Sequence, residues 1–221
     1  AKASITAEHD DNDTPLLCAL RRGREMTIKA LARSVDFDKN LSIVVAAITN
    51  DVLELQRLID NRASLDVRTP DQRTPLMLAA LHGHTMAVRR MVKASAQLDL
   101  VDKQGDTALM LAARNDHADI VKCLIDANAS VTIANNAGKT VLDISVIHDV
   151  MWHVMHDLTL LRHLVAAKEP MDIKNDQGQT PLIIAASRGL TDAVQILIDA
   201  KASVDSRDKT NKTALDWALW Q

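Results

Sequence analysis

Residues 147–157 read IHDVMWHVMHD, three histidines and two aspartates within eleven residues of a chain that holds eight histidines in all. Imidazole and carboxylate groups are common zinc ligands, and unperturbed imidazole is the side chain that titrates near neutral pH. If the stretch is helical, Ile147, Val150, Met151, Val154, Leu158 and Leu161 share an apolar stripe. Asp149, His153 and His156 then lie on the opposite face, at the i, i+4 and i, i+3 spacings that let side chains converge. A structural zinc site adds cysteine or a further histidine at defined spacing, and this stretch supplies neither. The reading is a polar, histidine-rich surface, with no metal and no cofactor.

Other reactive groups are sparse. Cys18 and Cys123 are the only cysteines. They are expected as buried free thiols on separate structural units, too far apart for a disulfide and lacking an activating partner. No G-x-S-x-G elbow, phosphate-binding G-x-x-x-x-G-K-[ST] loop or H-E-x-x-H helix is present. No catalytic residues emerge, and the chain reads as a protein that is not an enzyme.

Composition narrows the class further. Apolar residues make up 47% and charged residues 25% of 221, enough for a substantial core in an ordinary folded chain. A formal charge of −3 gives no global field that would draw the chain onto nucleic acid or an anionic membrane. No apolar run approaches a membrane span, and the first fifteen residues lack the apolar core of a signal peptide. The compartment stays open between cytoplasm and periplasm. With one Phe, three Trp and no Tyr, the core must be aliphatic, as in closely stacked helices.

The elements that hold the histidine stretch in place recur. Thr74, Thr107 and Thr140 stand 33 residues apart, and so do Thr180 and Thr213. Leu41 opens a further copy at the same step, and Thr14 a shortened first one. Each copy has an apolar stretch, a break, a second amphipathic segment and a turn-rich segment such as DVRTPDQR. Thr followed by Pro suits a helix start, because the hydroxyl can accept from a free amide and proline at the first position forfeits no hydrogen bond.

The 33-residue period with T-P-L-x-x-A-A, then G-H, then I-V-x-x-L-I, then A-S-V-D resembles the ankyrin repeat family, over about six repeats and a terminal half repeat. The resemblance implies an all-α ankyrin repeat solenoid of stacked helix pairs with short β-hairpin fingers. Residues 1–13 form an N-terminal extension and 14–221 a single ankyrin repeat domain. Met77, Met110, Asp143, Ile183 and Asp216 stand where the family usually has the His of T-P-L-H, which puts that motif's local hydrogen bonding in question. His84 and His117 occupy the G-H position and are expected to serve local structure.

Thr140 to Thr180 is 40 residues, seven more than the period, and the alignment of later landmarks places the excess between the two helices of that copy. Seven residues are close to two helical turns, so the histidine stretch forms a projecting knob if each helix gains one turn.

The resemblance also implies a binding surface of finger tips and inner-helix ends on the concave side. Carried over by register, its candidates are Arg21 and Arg22; Arg68, Asp71, Arg73, Leu81 and His82; and Lys103, Asp106, Arg114 and Asn115. They continue with Lys139 and His148; Lys174, Asp176, Gln179 and Arg188; and Arg207, Lys209 and Lys212. The charges are mixed with a basic lean. The expected function is a non-catalytic module that binds a folded protein partner with an acidic surface, as a scaffold or as an immunity-type inhibitor of a partner enzyme or toxin. The alternative is an adaptor that binds through the histidine-rich knob and outer helices, sensitive to pH or metal.

Overall fold

The apolar stretches form short helices in a computed structural model that describes residues 39–145, 158–166, 170–175 and 177–220. In chain order these are α1 (Lys39–Thr49), α2 (Val52–Asp60), α3 (Pro75–Leu81), α4 (Thr85–Lys93), α5 (Ala108–Arg114) and α6 (Ala118–Asp126). After the helical segment 141–145 come α7 (Thr159–Ala166), α8 (Pro181–Ala186), α9 (Thr191–Asp199) and α10 (Ala214–Ala218). No strand occurs among the described residues.

Two ladders run along the molecule. The first helices of successive copies pack together, α1 on α3 on α5 and α8 on α10, while the second helices stack as α2, α4, α6, α7 and α9. The inner helices are almost wholly enclosed: Pro75–Ala80, Ala108–Ala113 and Pro181–Ala186 are all buried. Paired alanines at 79–80, 112–113 and 185–186 let neighbouring backbones approach. The outer helices bury one face only, through Leu55 and Leu58, Val88 and Met91, Ile120 and Leu124, and Leu161 and Leu164. Helices this short are marginal in isolation, so their stability comes from the stack. One continuous core runs from Ile43 to Ala214.

Threonine starts the inner helices as expected. The Oγ1 atoms of Thr74 and Thr107 each accept from the amide three residues on at 3.2 Å, and Thr180 does so at 3.4 Å. The missing family histidine is replaced locally. Asp143 Oδ2 accepts from the Thr140 amide and hydroxyl at 2.9 and 3.0 Å, and Asp216 Oδ2 does the same for Thr213 at 2.8 and 2.9 Å. At Met77 the thioether sulfur takes the Thr74 amide at 3.4 Å. These reciprocal pairs form capping boxes with unusual third-position residues.

Left-handed residues repeat with the copies. Asn50, Gly83, Asp116 and Gly189 turn the chain between the two helices, while Arg62, Ser95, Asn128 and Lys201 end the outer ones. The finger turns use Gln72, Gly105, Gly138, Gly178 and Asn211. In the four fingers from Asp102 onward, an Asp or Asn fixes the turn by accepting two backbone amides through one oxygen: Asp102, Asn135, Asn175 and Asp208. Each finger is closed by a backbone bond between its ends, as from Asp102 to Asp106 or Asn135 to Lys139, both within 3.0 Å.

Candidate functional site

Successive fingers are tied into one surface by their backbones. The amides of Lys103, Asn136 and Lys209 donate to the carbonyls of Asp71, Gln104 and Gln177 at 3.0–3.1 Å. Below the tips, Asp66, Asp99 and Asp172 each accept the backbone amide of a residue 31 positions later, Gln97, Ser130 and Ser203, at 2.8–3.1 Å. These aspartates were not singled out by sequence reasoning. Their signal was the Asp that closes ASLD, AQLD and EPMD in three of the copies.

Several candidate contacts are spent on the scaffold. Asp106, placed on the surface by register, is instead 1% exposed. Its carboxylate accepts from Nη1 and Nη2 of Arg114 at 2.5 and 2.9 Å and from the Asn135 side-chain amide at 2.8 Å. The charged pair lets the carboxylate be buried, so Asp106 is a structural anchor and offers no open contact. Arg73 Nε donates to the buried carboxylate of Asp102 at 3.1 Å. Arg68 spans two fingers, donating to the carbonyls of Gln72 at 3.0 Å and Val101 at 2.8 Å. Lys174 reaches the Arg207 carbonyl, and Arg207 that of Asn211. Asn115 caps the end of α5 by donating to the Leu111 carbonyl at 2.8 Å.

The G-H histidines bind across the repeat interface. His84 Nε2 lies 2.7 Å from the Ile48 carbonyl and His117 Nε2 lies 3.3 Å from that of Leu81. Leu81 thereby serves the stack with its backbone while its side chain packs half-buried against the core. The rings of His82 and His84 stack at 5.9 Å.

One part of the surface forms a recess. Lys139, Gln179 and Arg188 line a cleft of about 440 Å³ together with Asn175, Gln177 and Ser187. Two successive fingers supply its walls, and the end of α8 its floor. Among the described residues no ion pair involves Lys103, Lys139, Arg188 or Lys209. Asp71 is half-buried, its backbone carbonyl engaged by the Lys103 amide. Among the described residues this surface presents hydrogen-bond donors and cations that no ion pair engages, with the Lys139 charge acting on the Asp143 carboxyl.

At the far end, Lys212 Nζ sits 4.5 Å and 3.5 Å from the ring centroids of Trp217 and Trp220. Trp217 Nε1 donates to Asp208 Oδ2 at 2.8 Å. Burial raises the Asp208 carboxyl pKa, but hydrogen bonds from the Thr210 hydroxyl, the Lys212 amide, the Trp217 indole and the Thr210 amide outweigh it, leaving the pKa at about 2. Asp143 shows the opposite balance: burial pushes its carboxyl up against the Thr140 bonds and the Lys139 charge. Burial also raises the half-buried Cys123 thiol, with Arg89 opposing it and Asp126 assisting.

Arg21, Arg22, His148, Asp176, Cys18 and the histidine stretch 147–157 lie outside the described residues. Among the residues described, no group of three or more His, Cys, Asp or Glu side chains is placed to hold a metal, and no helix is long and apolar enough to cross a membrane.

A solenoid of stacked helix pairs, with backbone-linked fingers projecting along one edge, is the architecture of a repeat protein that presents an extended surface for binding. The family description "Ankyrin repeats (3 copies)" matches residues 43–135, 94–149 and 150–221, and the chain belongs to the ankyrin repeat family. Ankyrin repeats mediate protein–protein interaction, and the family is typically non-catalytic. Among solved structures, the complex of the predatory endopeptidase Bd0816 from Bdellovibrio bacteriovorus with immunity protein Bd3460 contains a similar chain. The match has 27% identity and a TM-score of 0.67, covering 81% of this chain and 91% of that one. The ankyrin repeat domain of Bcl-3, a member of the IkappaB protein family, shares the fold at 22% identity and a TM-score of 0.75, covering 93% of this chain and 94% of that one. No curated protein sequence matches the chain.

Proposed function

We propose that this chain is a non-catalytic inhibitor of the immunity type, which covers an acidic region of a folded partner enzyme with its concave face. The observation that carries this reading is the cleft between successive fingers, where Lys139, Gln179 and Arg188 stand together without an ion pair among the described residues. The similarity to a chain of a complex between an endopeptidase and its immunity protein supports an enzyme as the partner class. A peptidase covered in this way would lose substrate access without any chemistry by the inhibitor.

The finger arginines contribute differently from the cleft cations. Arg68, Arg73 and Arg114 hold the fingers in register through intramolecular bonds, so they shape the surface. Lys139 and Arg188 carry the recognition of acidic groups. The test is affinity capture from extracts of the source organism by the purified chain and by a Lys139→Glu/Arg188→Glu variant, followed by peptidase assays of the captured material with added chain. Capture of a peptidase that the chain inhibits and the variant does not is the expected result. Capture that survives charge reversal, or a captured enzyme whose activity is unaffected, overturns the reading.

A further inference from the structure

The outer-helix ladder carries a second surface, remote in sequence from the finger cleft. Met86, Arg89, Arg90 and Lys93 follow i, i+3, i+4, i+7 spacing and so occupy one face of α4. Opposite them, Gln56 and Ile59 of α2 complete a cleft of about 630 Å³. Its apolar wall is real: Met86 is 54% exposed and Ile59 half-buried. Its rim is cationic. Arg89 and Lys93 are exposed, and like charges at this spacing repel one another on an isolated helix. The hydrogen-bond partner of Arg90 is neutral Gln56, which in turn donates to Asp60. Two carboxylates belong to this region: Asp60, which accepts from Gln56, and Asp126 of α6, whose charge acts together with that of Arg89 on the Cys123 thiol. Neither forms an ion pair with the three cations among the described residues. Arg57, one turn away on α2, is already neutralised by Glu54 at 2.6 Å.

We infer that the groove between α2 and α4 binds an acidic protein segment carrying an apolar side chain, the apolar group lying on Met86 and Ile59 and its carboxylates meeting Arg89, Arg90 and Lys93. The occupant follows from charge complementarity: a cluster of three cations flanking an apolar strip suits alternating acidic and apolar side chains. An uninterrupted polyanion would leave the strip unfilled. This site is independent of the concave-face reading and places a second partner segment on the opposite ladder.

The experiment uses the full chain and a labelled peptide of glutamates flanking one leucine, with binding read by fluorescence anisotropy at low and physiological salt. Binding is expected to weaken about tenfold or more with Arg89→Glu/Lys93→Glu, and about threefold or more with Met86→Ala. The exposed positions of these side chains keep the variants folded, which circular dichroism checks. Lys139→Glu/Arg188→Glu is expected to bind the peptide unchanged. Equal binding of an all-glutamate peptide, indifference to the α4 charge reversal, or loss on reversal of Lys139 and Arg188 overturns the inference. So does retention of the chain by anionic-lipid vesicles or single-stranded DNA in the absence of peptide binding.

Discussion

Arg114 closes on Asp106 with both terminal guanidinium nitrogens, at 2.5 and 2.9 Å, across the eight residues between a finger base and the end of α5. The side chain of Arg114 is 46% exposed, whereas Asp106 is enclosed. Removing the arginine leaves a carboxylate that keeps only the Asn135 amide as a partner. Arg114→Ala is therefore expected to destabilise the chain by about 1–3 kcal/mol, solvent access on the arginine side limiting the cost. Urea denaturation followed by far-ultraviolet circular dichroism measures it. An unchanged midpoint would show that water replaces the guanidinium without loss.

The same bond shows what the sequence made legible. The stack is legible because Thr74, Thr107 and Thr140, and again Thr180 and Thr213, recur at a 33-residue step before apolar segments that supply buried core residues. For the candidate surface, register names positions but not what each side chain does. Asp106 and Lys139 both sit at finger ends, yet one is sealed by Arg114 and the other lines a cleft. Which of them faces outward depends on a side chain eight residues away. Likewise, Arg73 finds Asp102 at 29 residues' separation, a pairing that no local spacing rule announces. The absence of the T-P-L-H histidine puts the motif's local hydrogen bonding in question on sequence alone. Asp143 and Asp216 close the same turn from the same position because a carboxylate accepts two donors as readily as imidazole accepts one.

Gly105 meets the next finger closely. A Cβ built there would lie 2.7 Å from the Asn136 amide nitrogen and side-chain oxygen, and the backbone has φ +78°. Both the left-handed conformation and the backbone contact oppose a side chain. Gly105→Ala is expected to cost about 1–3 kcal/mol and to loosen the Asn136–Gln104 backbone bond. Hydrogen exchange of the Asn136 amide reports it directly, and native protection in the variant would contradict the prediction.

Acid stability should depend on Asp208. Its folded pKa of about 2 lies below the ordinary 3.8, so the ionised form favours folding. The contribution is complete above 3.8, declines as the pH falls towards 2, and vanishes below both values. Asp208→Asn should therefore lower stability at neutral pH, with the gap to the parent closing between pH 3.8 and about 2. Denaturation midpoints across that range make the test, and a gap independent of pH would assign the loss to packing alone.

His84 Nε2 approaches the Ile48 carbonyl at 2.7 Å across the interface between two copies, joining the start of α4 to the end of α1. Its side chain makes no cap bond to its own helix, so its polar contribution goes to the neighbouring repeat. In a one-dimensional stack, such a bond acts on interfacial coupling more than on the stability of either unit. His84→Ala should lower overall stability by about 1–2 kcal/mol through the lost bond and the stranded carbonyl. His84→Gln should recover part of it if its amide can reach the same oxygen. The readout that separates coupling from local damage is amide exchange. Protection should fall in α1 and α2 ahead of α5 and α6, because weakening this interface lets the leading copies open while the remainder stays stacked. Uniform loss of protection along the chain would instead show that the repeats unfold as one unit and that His84 supports them all alike.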